Sequence, residues 1–591
     1  MKEQQTENNK KGAVTIIKKY LPIFSWGAAY SSKIFVNDLV VALIVTFMLI
    51  PQSLAYAQLA GLPAEIGLYA SMIPLVMYAI FGTSRALSVG PVALTGLLTL
   101  SAVAPLAAQG TPAYLQAAAA MALLSGVILI IMGFLKLGFL SNFLSFPVIS
   151  AIGTACGIQI AASQLSPVLS IQSERGAFLH QFISLIKNAE QFNIYTAAIG
   201  VPAIIFLLWA RKGLGPLLIK FGMSKRLSGI FSKLGPVLAL VVTIVITSGL
   251  GLDQKGVKVL GEVPSGLPTL LVPAFDSTLW GQLVVPALLI SIIGYVASIS
   301  VGQTLAAKKR QHIDPDQELI ALGAANLGSA LSGGFPVTGG FSRSVVNFEA
   351  GAETQVAGII TAGGIALTTL FLTPMLFYLP SATLGATIFV AILSLIDLKA
   401  VKKVYAYSKV DALAMLATIL LTLVVGVIAG LIAGIGISLF VYLYRTSKPH
   451  IPEIGLVPGT QTFRNVDRYT TVTNPGVVSI RMDESIYFPN ARFLEAKAGE
   501  LMAAHPEMKH LILNCSAVNA IDASGLISLM GINKTLTEAG IAFHLTDVKG
   551  PVLDGLKKTR FPDELKGRIH FSHYDAIRSI EAVQPEQPGN S

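Results

Sequence analysis

The 591-residue sequence predicts an α-helical membrane protein of about fourteen segments, two of them half-helices, followed by a C-terminal α/β domain. Three observations lead there. The chain is 53% hydrophobic and only 13% charged, whereas soluble globular chains carry about a quarter charged residues. That shortage is uneven: between about 39 and 444 the charges sit in short clusters between long apolar runs, and after Lys448 they are dense. Finally, two short, Gly-rich segments occupy corresponding places in the two halves of the apolar region, a pattern typical of repeated transporter folds.

A spanning helix needs roughly 20 apolar residues. Candidates lie near 39–58, 66–81, 113–134, 146–166, 194–211 and 234–250, then near 280–305, 317–332, 355–373, 383–396, 409–427 and 428–445. Segments 90–101 (GPVALTGLLTLS) and 339–350 (GGFSRSVVNFEA) are too short to span alone, and as half-helices they complete two sets of about seven. The expected organisation is a cytoplasmic arm (1–38), a transmembrane domain (39–446), a linker (447–465), an α/β domain (466–582) and a disordered tail (583–591).

The net charge of +10 raises nucleic-acid binding, but its placement excludes it. The basic residues cluster at the ends of apolar segments, where they report topology, and the tail has no basic stripe with interleaved aromatics. Lys136, then Arg211, Lys212, Lys220, Lys225, Arg226 and Lys233, then Lys308, Lys309 and Arg310 follow segments four, six and eight. Lys399, Lys402 and Lys403 follow segment twelve, and Arg445 and Lys448 follow the last. With the Lys-bearing N-terminus inside, this parity puts the α/β domain in the cytoplasm, beneath an inner (plasma) membrane. The first 35 residues lack a signal peptide's apolar core and are read as a retained arm. Cys156 in an apolar run and Cys515 in the tail are not expected to pair.

The tail alternates short β-rich runs (476–483, 510–516, 542–548) with stretches of helical apolar spacing, and Gly540 is a natural helix stop. A small sheet packed by helices follows.

Two features of the membrane half carry chemistry. Pro51-Gln52 interrupts an apolar segment, and a helix starting at Leu39 puts Gln52 roughly 20 Å into the bilayer core. A buried amide there needs either a neighbouring helix to bond or a wet cavity. The second feature is the pair of half-segments, which begin after SVGP (88–91) and PVTGGF (336–341). A helix beginning inside the membrane leaves unpaired N–H groups and a positive dipole end, so two such ends make an anion site. Gly339 and Gly340 either ease helix packing or let the backbone approach a ligand. Ser342 can cap the helix or donate to an anion, and Arg343 adds a charge.

The stretches IPQSLAYAQLAGLPAEIGLYAS and FGTSRALSVGPVAL (50–94) resemble the SulP family of anion transporters, as does IDPDQELIALGAANLGSALSGGFPVTGGFSRSVVN (313–347). The motif NAIDASGLISL (519–529) is similar to a STAS domain, which that family carries. The resemblance covers nearly the whole chain. It implies a seven-plus-seven inverted repeat with core and gate subdomains, usually dimeric, and a small anion as substrate. It also implies an anion pocket at Gln52 and Tyr56, at Pro91, Val92 and Ala93, and at Gly340, Phe341, Ser342 and Arg343. Tyr56 lies four residues from Gln52, on the same helix face. In related STAS-like proteins the serine equivalent to Ser524 is phosphorylated; here Asp522 and Ser524 also open a helix and can serve as its cap. A cytoplasmic protein partner for this domain is a further expectation.

A nucleobase permease shares the layout but places carboxylates in segments eight and ten, and segment eight here has no acid from 279 to 307. An anion channel, or a membrane-anchored scaffold serving the STAS domain, is separable by flux measurement. No Cys/His metal cluster, nucleophile elbow or Walker loop marks an enzyme or calls for a cofactor.

One departure from the family generates a prediction. Many bacterial relatives have an acid where this chain has Ala297, in GYVASIS. An intramembrane acid is the natural proton- or sodium-linked group, and a cation drives uptake only if it binds one carrier state better than the other. The chain should therefore not concentrate its anion strongly under an imposed proton or sodium gradient, and Ala297→Glu should introduce pH-dependent uptake. Proteoliposome uptake tests this; robust gradient-driven accumulation by the unaltered chain would place coupling elsewhere.

Overall fold

Inside a bilayer every backbone N–H and C=O must be bonded within the protein, so non-helical backbone survives only where side chains or other strands satisfy it. A computed structural model of the chain describes residues 20–583, apart from 28–29, 143–145, 174–177, 225–227, 229–233 and positions 263, 272 and 274. Most of the expected arm, the tail after 583, and Lys225, Arg226 and Lys233 lie outside the described residues. The chain forms two compact units, Met1–Ser438 and Leu439–Ser591.

The first half of the membrane unit contains α1 (Ser32–Leu59), α2 (Ala64–Phe81), α3 (Ala93–Val103), α4 (Pro112–Phe134), α5 (Phe146–Leu169), α6 (Ile194–Lys220) and α7 (Gly235–Leu250). The second repeats the series with α8 (Ser277–Lys308), α9 (Pro315–Leu331), α10 (Phe341–Glu349), α11 (Val356–Phe371), α12 (Ser381–Ile392), α13 (Lys409–Val424) and α14 (Val427–Ser447). Among the described residues, seven of these are long and apolar enough to cross a membrane alone. The two expected half-helices are α3 and α10, of 11 and 9 residues. Helix α6 runs on to Lys220, so Arg211, Lys212 and Lys220 belong to the helix rather than to the loop expected after it.

Small residues set the closest helix contacts, as lipid-solvated bundles require. A Cβ at Gly126 of α4 would lie 2.9 Å from the Gly323 carbonyl oxygen of α9, and one at Gly323 would lie 2.8 Å from the Gly126 carbonyl oxygen. A Cβ at Gly67 of α2 would meet the Ser53 carbonyl oxygen of α1 at 1.9 Å.

Before α3 and α10 the chain is extended. Val89–Gly90 (β1) pairs antiparallel with Thr338–Gly339 (β2), with Val89 opposite Gly339 and Gly90 opposite Thr338. Most of the other backbone groups of the first extended segment are bonded by the second half of the chain. Glu318 of α9 accepts from the Thr83 amide (2.8 Å) and hydroxyl (2.6 Å), the Ser84 amide (3.1 Å) and the Tyr78 hydroxyl (2.7 Å). Gln355 donates to the Ser84 and Leu87 carbonyls, and Asn347 donates to that of Ala86. The Ser88 amide donates to the Ser344 hydroxyl at 3.0 Å. On the other segment, Asn326 bonds both the amide and the carbonyl of Val337 at 2.9 Å. Ser298 of α8 accepts from the Gly339 amide at 2.9 Å and shares a 2.6 Å hydrogen bond with the Thr338 hydroxyl.

The C-terminal unit has a parallel sheet in the order β5 (Val477–Arg481), β6 (His510–Asn514), β7 (Ala542–Thr546) and β8 (Ile569–His570). The stretch expected as a linker carries a hairpin, β3 (Ile454–Leu456) with β4 (Phe463–Asn465), and Glu453 bridges to Ile480 of β5. Helices α15 (Ala491–Ala504), α16 (Ala523–Glu538), α17 (Gly550–Leu556) and α18 (His573–Val583) pack the sheet. Strand alternation sends Ile480, Leu511, Leu513, Phe543 and Leu545 to the face shared with α15 and α16. Val477 and Ile512 go to the face shared with α18. Helix α16 ends at Gly540, in the left-handed region at φ 82°.

The α18 face also carries four histidines. His544 lies between His510 (3.1 Å) and His570 (3.2 Å), and buried His573 bonds the hydroxyls of Thr546 and Ser479, each at 2.9 Å. Burial holds His544 and His573 down to about 4, helped by the neighbouring histidines, and His510 and His570 are lowered for the same first reason. A group whose folded pKa is depressed contributes stability above its unfolded pKa of about 6.5, and that stability drains as pH falls toward the folded value. Asp547, pushed up by burial, acts in the opposite direction, one group against four. A fragment spanning 449–583 should therefore melt cooperatively at pH 7.5, with a melting temperature that falls steadily between pH 6.5 and 4. Circular dichroism checks both; an uncooperative melt, or a flat profile across that window, would contradict this account.

Candidate functional site

The three elements expected to hold a ligand converge at the paired extended segments. Val92, the residue before α3, is extended (φ −136°, ψ 148°), and Gly340, the residue before α10, is too (φ −82°, ψ 120°). Neither supplies a side-chain cap, so the first-turn N–H groups of both helices lack the usual partner. Because β1 and β2 are antiparallel, α3 and α10 leave the bridge in opposite directions, with their N-termini meeting across it. Ser342, expected as a cap or a donor, is exposed at the second position of α10 and leaves the cap to Gly340.

Arg343 joins the two half-helices. It is 2% exposed, and its Nη1 donates to the Pro91 carbonyl at 2.5 Å, just ahead of α3. The glycines make room for it: a Cβ at Gly340 would lie 2.9 Å from its Cζ, and one at Gly90 would lie 3.4 Å from its Nη2. Gly340 thus accommodates the guanidinium, a role that neither sequence reading of these glycines had assigned. Gly339 instead packs against Leu87 and the Ser298 hydroxyl. Arg343 Nε and Nη2 are buried without a hydrogen-bond partner. A guanidinium in the first turn of a helix already opposes the dipole, and burying it with donors unpaired is costly. Two helix N-termini and a cation converge here with the same sign, and no carboxylate among the described residues bonds the guanidinium.

Gln52 and Tyr56 lie four residues apart on α1, 6% and 8% exposed. Gln52 and Ser342 line a cavity of about 290 Å³, together with Met48, Val346, Arg211 and Thr387. Pro91 and Ala93 are buried, and Val92 is half-buried. These three, with Tyr56, Gly340, Phe341 and Arg343, do not line that cavity, and Phe341 is 58% exposed. Ala297 is half-buried on α8, next to the Ser298 anchor. In the C-terminal unit Asp522 caps α16, accepting from the Gly525 amide at 2.7 Å, and Ser524 stands exposed in the first turn.

Three groups escaped the sequence reading. Arg211 falls where the sequence suggests a loop charge, but it lies within α6. Glu318 and Asn326 were signalled only by being polar inside an otherwise apolar segment, which is a functional or structural marker by default.

A multi-pass bundle with two half-helices meeting beside a buried guanidinium has the layout of an anion transporter, and the family it matches is one of transporters rather than enzymes. The chain belongs to the sulfate permease family, whose model matches residues 35–418, and a STAS domain matches 468–576. It is 33% identical to probable sulfate transporter 4.2 of Arabidopsis thaliana, over 96% of this chain and 84% of that one. It is 30% identical to a probable sulfate transporter of Mycobacterium tuberculosis, over 90% and 93%. The solved structure of SLC26A9 superposes with a TM-score of 0.88 at 25% identity, covering 97% of this chain and 94% of that one.

Arg343→Ala should abolish the rise in melting temperature that saturating sulfate gives the purified protein, an effect worth about 2.7 kcal/mol at a hundredfold excess over Kd. The ligand-free melting point should move by only a few degrees, because the lost bond to Pro91 is offset by relief of a buried charge. An undiminished sulfate shift in the variant would make Arg343 structural.

Proposed function

We propose that the protein is a secondary carrier that moves a small inorganic or carboxylate anion, sulfate- or bicarbonate-like, by alternating access. The anion is held by the N-termini of α3 and α10 and by Arg343, with Gln52 and Tyr56 of α1 closing the pocket. The observation that carries this reading is the buried Arg343 guanidinium, with two unpaired nitrogens where the half-helices meet. The names of the relatives, sulfate transporters, favour the same substrate class.

Alternating access is supported by a second cavity of about 350 Å³, lined by Gln58, Leu97, Gln164, Ser381 and Gly385 among others. It uses the other end of the helices that line the first: α1 contributes Met48 and Gln52 to one cavity and Gln58 to the other, with Tyr56 between. Likewise α12 contributes Ser381 and Gly385 to one and Thr387 and Val390 to the other. Two separate cavities along shared helices suit a carrier better than an open pore. In this reading the carrier is a homodimer in the inner membrane, with its N-terminus and STAS domain cytoplasmic, where that domain meets a protein partner.

Sulfate uptake into proteoliposomes should saturate and show counterflow, and Gln52→Leu should weaken sulfate affinity about tenfold or more, the worth of one hydrogen bond to a charged group. Unsaturable flux at channel rates would overturn the carrier reading, and unchanged affinity in Gln52→Leu would return that residue to helix packing.

A further inference from the structure

The cavity of about 290 Å³ has two unlike walls. One carries Gln52 of α1 and Ser342 of α10, beside the half-helix junction. The other carries Arg211 of α6, Thr387 of α12, and Gly235 at the start of α7. Among the described residues lining it, Arg211 is the one with a charge, and no carboxylate is present to cancel it. The wall behind Arg211 is firm. Leu207 and Ala210 are buried, and α7 begins so close to α6 that a Cβ at Gly235 would stand 3.1 Å from the Ala210 Cβ.

Arg211 lines the cavity together with Gln52, four residues before Tyr56 on α1, and Arg343 follows the lining residue Ser342 on α10. Arg343 belongs to the helix that carries Ser342, whereas Arg211 comes from the opposite wall. An anion at Gln52 and Ser342 is therefore exposed to two like charges on different elements. Coulomb energy scales with the product of charges. A doubly charged oxyanion gains twice what a singly charged one gains from the second cation, and it neutralises both.

We propose that Arg211 is a specificity-determining residue, selecting divalent oxyanions over monovalent anions by supplying a second cation from the wall opposite the half-helices. The proposal rests on the reading of this cavity as part of the anion site. Its bland alternative is a basic residue near a helix end that fixes topology and touches no substrate.

The test is equilibrium binding of radiolabelled sulfate to the purified full-length protein, with unlabelled sulfate or chloride as competitor. Arg211→Gln should raise the sulfate Kd about tenfold while changing chloride competition by no more than about threefold, because the divalent ion loses twice the interaction. Arg211→Lys, which keeps the charge, should retain most of the wild-type preference, and matching melting curves would show both variants folded. If chloride competes in neither protein, the sulfate Kd alone decides, and its rise in Arg211→Gln with recovery in Arg211→Lys supports the assignment. Equal effects on both anions, or no effect on either, would overturn it while leaving the site reading intact. Wild-type protein that binds neither anion would contradict the site reading itself, and this inference with it.

Discussion

Extended backbone in a bilayer carries polar groups that lipid cannot bond, and the membrane unit is organised around one place where such backbone is tolerated. Val89–Gly90 and Thr338–Gly339 bond each other across the two halves of the chain. The peptide groups this pairing leaves over are taken by Glu318, Asn326, Ser298, Asn347 and Gln355. Helices of the second half hold the first extended segment, and the first half returns one bond beyond the pairing, the Ser88 carbonyl accepting from the Gly340 amide at 3.0 Å. The first half cannot satisfy its own interruption, whereas Asn326 and Ser298 hold the second from within its own half. The interrupted helices therefore form a single rigid junction rather than two weak points.

The electrostatics follow from that junction. Starting two short helices across the paired segments brings two positive dipole ends together, and the chain adds Arg343 in the first turn of the second. Bonded to Pro91 and seated over Gly90 and Gly340, the guanidinium is fixed in place yet keeps two nitrogens unpaired. Such an arrangement is under-compensated without a counter-charge, so its cost is recovered when an anion binds. In the proposed carrier, preorganised donors of this kind would bind an anion without rearranging, leaving conformational change to act on access to the site rather than on its chemistry.

Much of this was legible in the sequence, and the parts that were not have physical reasons. All fourteen membrane segments, including the short α3 and α10, follow from apolar length and glycine content, because lipid imposes the same demand on every span. The C-terminal strands follow from alternation, and Gly540 marks a helix end as its backbone freedom suggests. The starts of the two half-helices, next to Pro91 and Gly340, were likewise legible, since a helix start within an apolar run is visible locally. The role of Gly340 as a seat for Arg343 was not, because it depends on where a side chain folds back. Arg211 was read as a loop charge because apolarity fades before α6 ends at Lys220. The hairpin at 454–465 was missed because its strands are three residues long and pair against a neighbour the sequence does not reveal. Glu318 has no local signature of its four donors, which come from residues more than two hundred positions away.

The central claim is that an anion completes the junction of α3, α10 and Arg343. The most direct measurement is a structure of the purified protein soaked with selenate, whose selenium marks a sulfate-like anion by anomalous scattering. The account predicts a selenium peak whose oxygens lie within hydrogen-bonding distance of Arg343 Nε or Nη2 and of first-turn amides of α3 or α10. A fully occupied peak elsewhere, with Arg343 still lacking a partner, would contradict it.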